Sequence, residues 1–391
     1  MTNFATSWEL QIGQSGDAVL NRVVPLEDGS LLALSEVPSW VMKVDADGTL
    51  DHKFGEQVTD DPSYHSGQVD IAAADLWVTS GEHVVVSTHV DLDPWSILEL
   101  SALAKADGSP VTTFGTNGTV QLPYSSAPDG ERTVAITHDL HEGKLGVIVA
   151  RQWQMAPGAN GSLPLRVGPS VLELLEIDSL SGAATSLGTF TLPPWSGSMY
   201  PAQDEARIWN VVAQPDGSYV ALVSDTGRWS SLHLVAGADP TLQSVAVGGL
   251  FPAGMFAHED GSFDFYISGI LDGLSKSSDD EHVFRVTIDS LAMNSSVETL
   301  GPGIDLTSGP GYCNTSVAGP DSLLYAHTKP EGSPIQFARY SQSPVETAVS
   351  DLGNRCVRSL TLTDSGTVFA GTYDTSGSVW RILITKLVPA N

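Results

Sequence analysis

Arginine is scarce in this chain and unevenly placed. Of its eleven arginines, Arg22, Arg132, Arg207, Arg355 and Arg358 fall on, or just before, short apolar segments that recur along the sequence. Arg151 and Arg228 fall between two such segments, where a loop is expected. A guanidinium offers a planar fork of donors matched to carboxylate, phosphate or sulfate. Gathered at one mouth of a protein, these side chains would focus an anionic ligand there. The alternative is that they pair with acidic neighbours such as Asp70, Glu131, Asp204 or Glu205.

Tryptophan is the second candidate. Trp40, Trp95, Trp229 and Trp380 each open a third segment of the repeat, and Trp153 lies in the equivalent loop. Aromatic rings on a rim stack on sugars or apolar ligands, whereas an aromatic repeated once per unit also serves to pack unit against unit. Acidic clusters come third. His89, Asp91 and Asp93 are expected to share one loop, and Asp279, Asp280, Glu281 and His282 another. Alternating carboxylates suit a hard cation such as calcium, and solvated loops of an acidic protein look the same. His138 and His141 flank Asp139, but without the helix that makes paired histidines converge on zinc. No motif demands a cofactor; calcium is the one cation that the acidic loops suggest. No Gly-x-Ser-x-Gly elbow, phosphate loop or dinucleotide fingerprint occurs. Asn117, Asn160, Asn294 and Asn314 head Asn-x-Ser/Thr triplets, which matter only in a eukaryotic secretory pathway.

The elements that must position these residues repeat seven times: apolar strand, tight turn, second apolar strand, loop, third strand. The first turn reads Glu27-Asp28-Gly29-Ser30, Ser80-Gly81-Glu82, Glu142-Gly143-Lys144, Pro215-Asp216-Gly217-Ser218, Glu259-Asp260-Gly261-Ser262, Pro320-Asp321-Ser322 and Asp364-Ser365-Gly366. Asp-Gly between apolar runs signals a hairpin, because glycine takes the positive φ that the turn needs. The turns recur roughly every 40 to 75 residues, the period of one four-stranded sheet per repeat. The fold class is therefore all-β, a seven-bladed β-propeller, with residues 1–391 as a single domain and no Pro/Ser-rich linker between blades. The last repeat ends one strand short at Trp380–Leu387, while Trp8–Ile12 stands as an orphan strand before the first. Pairing the two closes the ring and removes an open edge.

Blades one and two resemble the delta-sixty repeat, a β-propeller family common in bacterial secreted and surface proteins. The matching stretches are Lys43-Val44-Asp45-Ala46-Asp47-Gly48 with Lys53-Phe54-Gly55, and Lys105-Ala106-Asp107-Gly108-Ser109 with Phe114-Gly115. The resemblance implies the fold and no activity, since propellers host many functions. Asp45-Ala46-Asp47-Gly48 also opens like a calcium loop with Glu56 at its twelfth position. Leu50 stands where that loop requires glycine, which leaves a hairpin turn.

A formal charge of −28, from 18 basic and 46 acidic side chains, repels nucleic acid and anionic membranes. It also fits a high-salt habitat. No apolar run is long enough to cross a bilayer, and Met1–Leu10 has neither the basic nor the apolar stretch of a signal peptide. Cys313 and Cys356 each lie eight residues before the aspartate of their turn. They therefore occupy the same place on the inner strands of blades six and seven. Proximity is expected. A bond would staple the last blade and indicate an oxidising compartment; without one, the pair are small buried thiols.

Two functions follow. One is a monomeric binding module, extracellular or periplasmic, with cytoplasmic as the alternative, whose top-face pocket takes a small anionic or carbohydrate-like ligand or a protein. The other is a propeller enzyme (a lyase, hydrolase or cyclase) acting on an anionic or polar substrate at the channel mouth.

Overall fold

The computed structural model describes residues 3–14, 19–37, 40–56, 64–65, 68–69, 73–92, 95–122, 134–137, 140–152, 155–156, 165–166, 171–191, 207–225, 228–238, 241–271, 282–289, 294–302, 314–319, 322–327, 335–341, 345–350, 352, 355–363, 365–374 and 381–389. Its strands form seven antiparallel blades, each built outward from an inner strand. Those inner strands are Val19–Pro25, Ala73–Val78, Val134–Ile136, Arg207–Ala213, the second half of Thr241–Ala257, Asn314–Gly319 and Cys356–Leu362. Thr241–Ala257 is shared: it ends blade four and begins blade five, so those two blades form one seven-stranded sheet. Gly248 within it pairs with Arg228 of blade four and with Ile270 of blade five.

The ring closes as expected. Phe4–Gln14 is the outermost strand of blade seven, antiparallel to Arg381–Pro389, with Leu10 opposite Ile384. Both β-bulges in this pair follow polar residues, at Thr6/Trp8 and Gln11/Gly13.

The turns show why Asp-Gly-Ser recurs. Asp28 Oδ1 accepts from the Ser30 amide at 2.9 Å and from the Ser30 hydroxyl, while Gly29 takes φ 84°. Asp216 with Ser218 and Asp260 with Ser262 repeat this after the inner strands of blades four and five. Asp47 with Thr49, Asp107 with Ser109 and Asp178 with Ser181 repeat it after the third strands of blades one to three. These hydrogen bonds favour the ionised carboxylate. The side-chain hydroxyl first, then the backbone amide, holds Asp28, Asp47, Asp178, Asp216 and Asp260 below the ordinary aspartate range. Asp45–Thr49 is thus a hairpin turn, with Gly48 N donating to Asp45 O at 2.9 Å and the Asp47 carboxylate occupied within the turn.

The core lies between blades. Seven clusters of buried side chains occur, one at each junction of neighbouring blades. The Phe-Gly motifs bridge two of these junctions. Phe54 of blade one is fully buried, and the Gly55 amide donates to Asp107 O of blade two at 2.6 Å. Phe114 of blade two is fully buried, and the Gly115 amide donates to Ser181 O of blade three at 2.8 Å. At the closure Trp8 does the same work. Its Nε1 donates to Ala46 O at 3.1 Å, and a Cβ on Gly48 would sit 2.6 Å from the indole. An aromatic ring fits against a bare glycine turn at two of these junctions, Trp8 at Gly48 and Phe54 at Gly108, and at the third the Gly115 backbone takes that place against Gly182.

Three loop assignments are corrected. His89 and Asp91 lie on the strand His83–Leu92, opposite Leu98 and Ser96. Arg151 lies on Lys144–Gln152, and Arg228 opens Arg228–Leu234. The cause is that these second and third strands run on past their apolar centres, and ladder pairing tolerates polar residues near a strand end.

Candidate collar of the central channel

The inner strands of five blades share an irregularity. Blade one has its extra residue between Leu20, opposite Ser35, and Arg22, opposite Leu34. Counted from the innermost turn, blades two, four, five and seven break register at the same step: Ala73/Asp75, Ile208/Asn210, Pro252/Gly254 and Val357/Ser359. The extra residues are Asn21, Ala74, Trp209, Ala253 and Arg358. A bulge bends its strand and re-aims side chains, and bulges concentrate beside functional sites. Here five of them form a collar at one height of the wall that the inner strands build around the axis.

Neighbouring inner strands are tied to each other. Thr361 Oγ1 donates to Val23 O at 2.6 Å, Trp77 Nε1 to Thr137 O at 2.9 Å and Ser316 Oγ to Ala253 O at 2.5 Å. Thr137 and Val211 form a parallel bridge. Arg22 of blade one makes an ion pair with Asp75 of blade two. These contacts link neighbouring inner strands to one another.

The structure brings four of the sequence candidates, Arg22, Arg207, Arg355 and Arg358, to this end of the inner strands. Arg22 follows the bulge of blade one, Arg358 is the bulged residue of blade seven, and Arg355 immediately precedes that strand. Arg355 turns to Glu9 on the N-terminal strand, with Nη2 3.2 Å from Oε1 and Nη1 in contact with Oε2. Arg22 and Arg355 thus pair with carboxylates, those of Asp75 and Glu9. Arg207 opens the inner strand of blade four. Arg132, Trp153, Trp380, Asp93, Asp279, Asp280 and Glu281 lie outside the described residues, as do His138, Asp139, Asp70, Glu131, Asp204 and Glu205. Trp40 and Trp95 open third strands and Trp229 is the second residue of another. Trp40 is 3 % exposed and sits in the cluster joining blades seven and one, so its ring is taken up by packing.

Two polar groups that sequence reasoning passed over lie near the opposite ends of the inner strands. Ser218 Oγ donates to Asp216 and stands 3.0 Å from His233 Nε2. Because the hydroxyl's single proton goes to the ionised Asp216, His233 Nε2 must be the donor. The imidazole cannot then take a proton from Ser218, and the three groups are not a nucleophile–base arrangement. In blade five Asp264 is 2 % exposed and accepts from Thr287 Oγ1 at 2.5 Å. His258 Nε2 lies 3.1 Å from it and Arg285 Nη1 3.8 Å; Arg285 in turn holds Glu298 at 2.6 Å. The equivalent residues of blades one, two, four and seven are Leu32, Val85, Val220 and Phe369, all buried. A carboxylate in Phe263-Asp264-Phe265, at a position otherwise apolar, was the available signal. Among the described residues no three His, Cys, Asp or Glu side chains gather as metal ligands.

Cys356 is 7 % exposed and disulfide-bonded; Cys313, the chain's other cysteine, lies outside the described residues.

No family model matches the chain, and no curated protein matches it. The likeness to the delta-sixty repeat therefore rests on the motif residues themselves. Among solved structures, a catalytically inactive variant of virginiamycin B lyase from Staphylococcus aureus with quinupristin is 11% identical, at a TM-score of 0.50. The alignment covers 96% of this chain and 98% of that one. BBS1N in complex with ARL6DN is 11% identical, at a TM-score of 0.51, over 100% of this chain and 98% of that one. At such identity the likeness is one of fold: the chain is an all-β seven-bladed propeller closed by its N-terminal strand.

Proposed function

We propose that this propeller is a binding module whose ligand, a small anionic or carbohydrate-like molecule, sits at the channel mouth where the inner strands begin. The observation that carries the reading is the collar. Five inner strands bulge at one register, and two of the chain's few arginines, Arg22 and Arg358, lie at that register. In a protein of formal charge −28, cationic groups placed at one mouth draw an anion there. The reading takes the module as a monomer that needs no cofactor. The disulfide at Cys356 supports a secreted or periplasmic setting over a reducing cytoplasm.

The test is titration calorimetry against a panel of uronic acids, sugar phosphates and neutral sugars. Anionic members are expected to bind and Arg358→Met to weaken them about tenfold, roughly 1.4 kcal/mol. Binding that ignores Arg358, or prefers neutral sugars, would shift the site away from the collar. Conversion of the bound compound would make the module an enzyme. Calcium titrated into chelator-treated protein, with and without His89, Asp91 and Asp93 replaced, checks the cofactor part of the reading.

A further inference from the structure

The Arg22–Asp75 pair has a property beyond tying two blades. Counted from the turn, the two residues occupy the same position, one step past the bulge, on adjacent inner strands. Blades four, five and seven place Asn210, Gly254 and Ser359 there. Arginine and aspartate are therefore the only charged residues at that position in the five bulged blades, and each neutralises the other. The pair is not sealed: the side chains are 18% and 36% exposed. Asp75 is also held by its own strand, its Oδ1 accepting from the Leu76 amide at 2.7 Å. A partly exposed ion pair is weak, because water and salt screen it.

We infer that Asp75 is a resident counter-anion that occupies Arg22 until the oxyanion group of a ligand displaces it. This rests on the channel mouth being the ligand site. The geometry supplies the rest: Arg22 Nη1 meets one oxygen of a tethered carboxylate, a contact that a free carboxylate or sulfate would reproduce with both prongs of the fork. In the empty protein the tether holds Arg22 in place and compensates its charge. Asp75 Oδ1 accepts from both Arg22 Nη1 and the Leu76 amide, so when a ligand binds Asp75 stays on its Leu76 hydrogen bond and the Arg22 guanidinium turns to the ligand. The strongly acidic surface makes such masking useful, since a bare guanidinium would otherwise recruit carboxylates from other copies of the chain.

Calorimetry with sodium sulfate and sodium acetate as probes tests this on wild type, Asp75→Asn and Asp75→Asn with Arg22→Met. Asparagine preserves the acceptor for the Leu76 amide and removes the charge. Asp75→Asn is expected to bind one or both probes about three- to tenfold more tightly than wild type, and Arg22→Met to abolish that gain. If wild type binds and Asp75→Asn binds equally or less tightly, the counter-anion role is overturned while the ligand site stands. If no variant binds either probe, both fall. If the gain survives Arg22→Met, the anion sits elsewhere and the inference is overturned. Asp75→Ser, which copies Ser359 of blade seven, serves if the asparagine variant does not fold, and the same outcomes decide.

Discussion

Blades one to three and blades four to seven hold their neighbours by different means. In the first arc a residue from one blade closes over the third-strand turn of the next: Trp8 on Gly48, Phe54 on Gly108, and Gly115, which follows the buried Phe114, on Gly182. In the second arc the equivalent turn of blade four has no such cover among the described residues. A Cβ on Gly237 would meet nothing within 4 Å, and Val235 beside it is 41% exposed. Blades four and five instead share a strand, and blade seven carries the disulfide at Cys356. One arc is held by side-chain docking, the other by backbone continuity and a covalent bond. A ring of nearest-neighbour interfaces needs every junction secured, but not by the same device.

Replacing the docked aromatics should have the largest effect on stability. Phe114→Ala empties a fully buried site and should cost about 3–5 kcal/mol, read by urea unfolding. A loss below about 1 kcal/mol would mean that docking contributes little. Reduction of the disulfide should follow at about 2–4 kcal/mol. It should loosen blades six and seven by hydrogen exchange while leaving the Phe54 and Phe114 junctions protected; uniform loosening would dissolve the distinction between arcs.

A paired glycine substitution sharpens it. Gly182 and Gly237 occupy matching turns at φ 71° and 74°. Alanine therefore brings similar backbone strain to both, about 1–2 kcal/mol. A Cβ on Gly182 would in addition lie 2.6 Å from the Gly115 amide nitrogen. Gly182→Ala is expected to lower the melting temperature more than Gly237→Ala, and equal losses would argue that strain alone matters.

The smallest effect is acid dependence. The turn aspartates have folded pKa values lowered first by the side-chain hydroxyl, then by the amide. The unfolded chain therefore binds these protons more tightly. Stability from the turns is complete above the unfolded aspartate pKa, about 3.9, and is lost as pH falls through the lower folded values. Ser30→Ala and Ser218→Ala should each flatten that loss in acid-unfolding curves; unchanged curves would assign acid sensitivity to other carboxylates.

Much of the architecture was legible in the chain because its signals are local. Asp28-Gly29-Ser30 and its repeats encode a turn through one hydrogen-bonding side chain and one permissive backbone. The apolar runs beside them encode buried strands. Even the closure by Trp8–Ile12 followed from counting strands in blade seven. The loop placement of His89, Asp91, Arg151 and Arg228 failed because strand ends are set by pairing across the ladder, not by the residues themselves.

What the sequence determined alone was thus the repeat, its turns and the need for a closing strand, since each depends on neighbours a few residues apart. Tertiary structure decided the rest. That Phe54 meets the turn of Asp107, that five bulges fall at one height, and that Arg22 faces Asp75 all depend on register between strands far apart in the chain. A shift of one residue turns every side chain to the opposite face, and only the assembled sheet fixes that register.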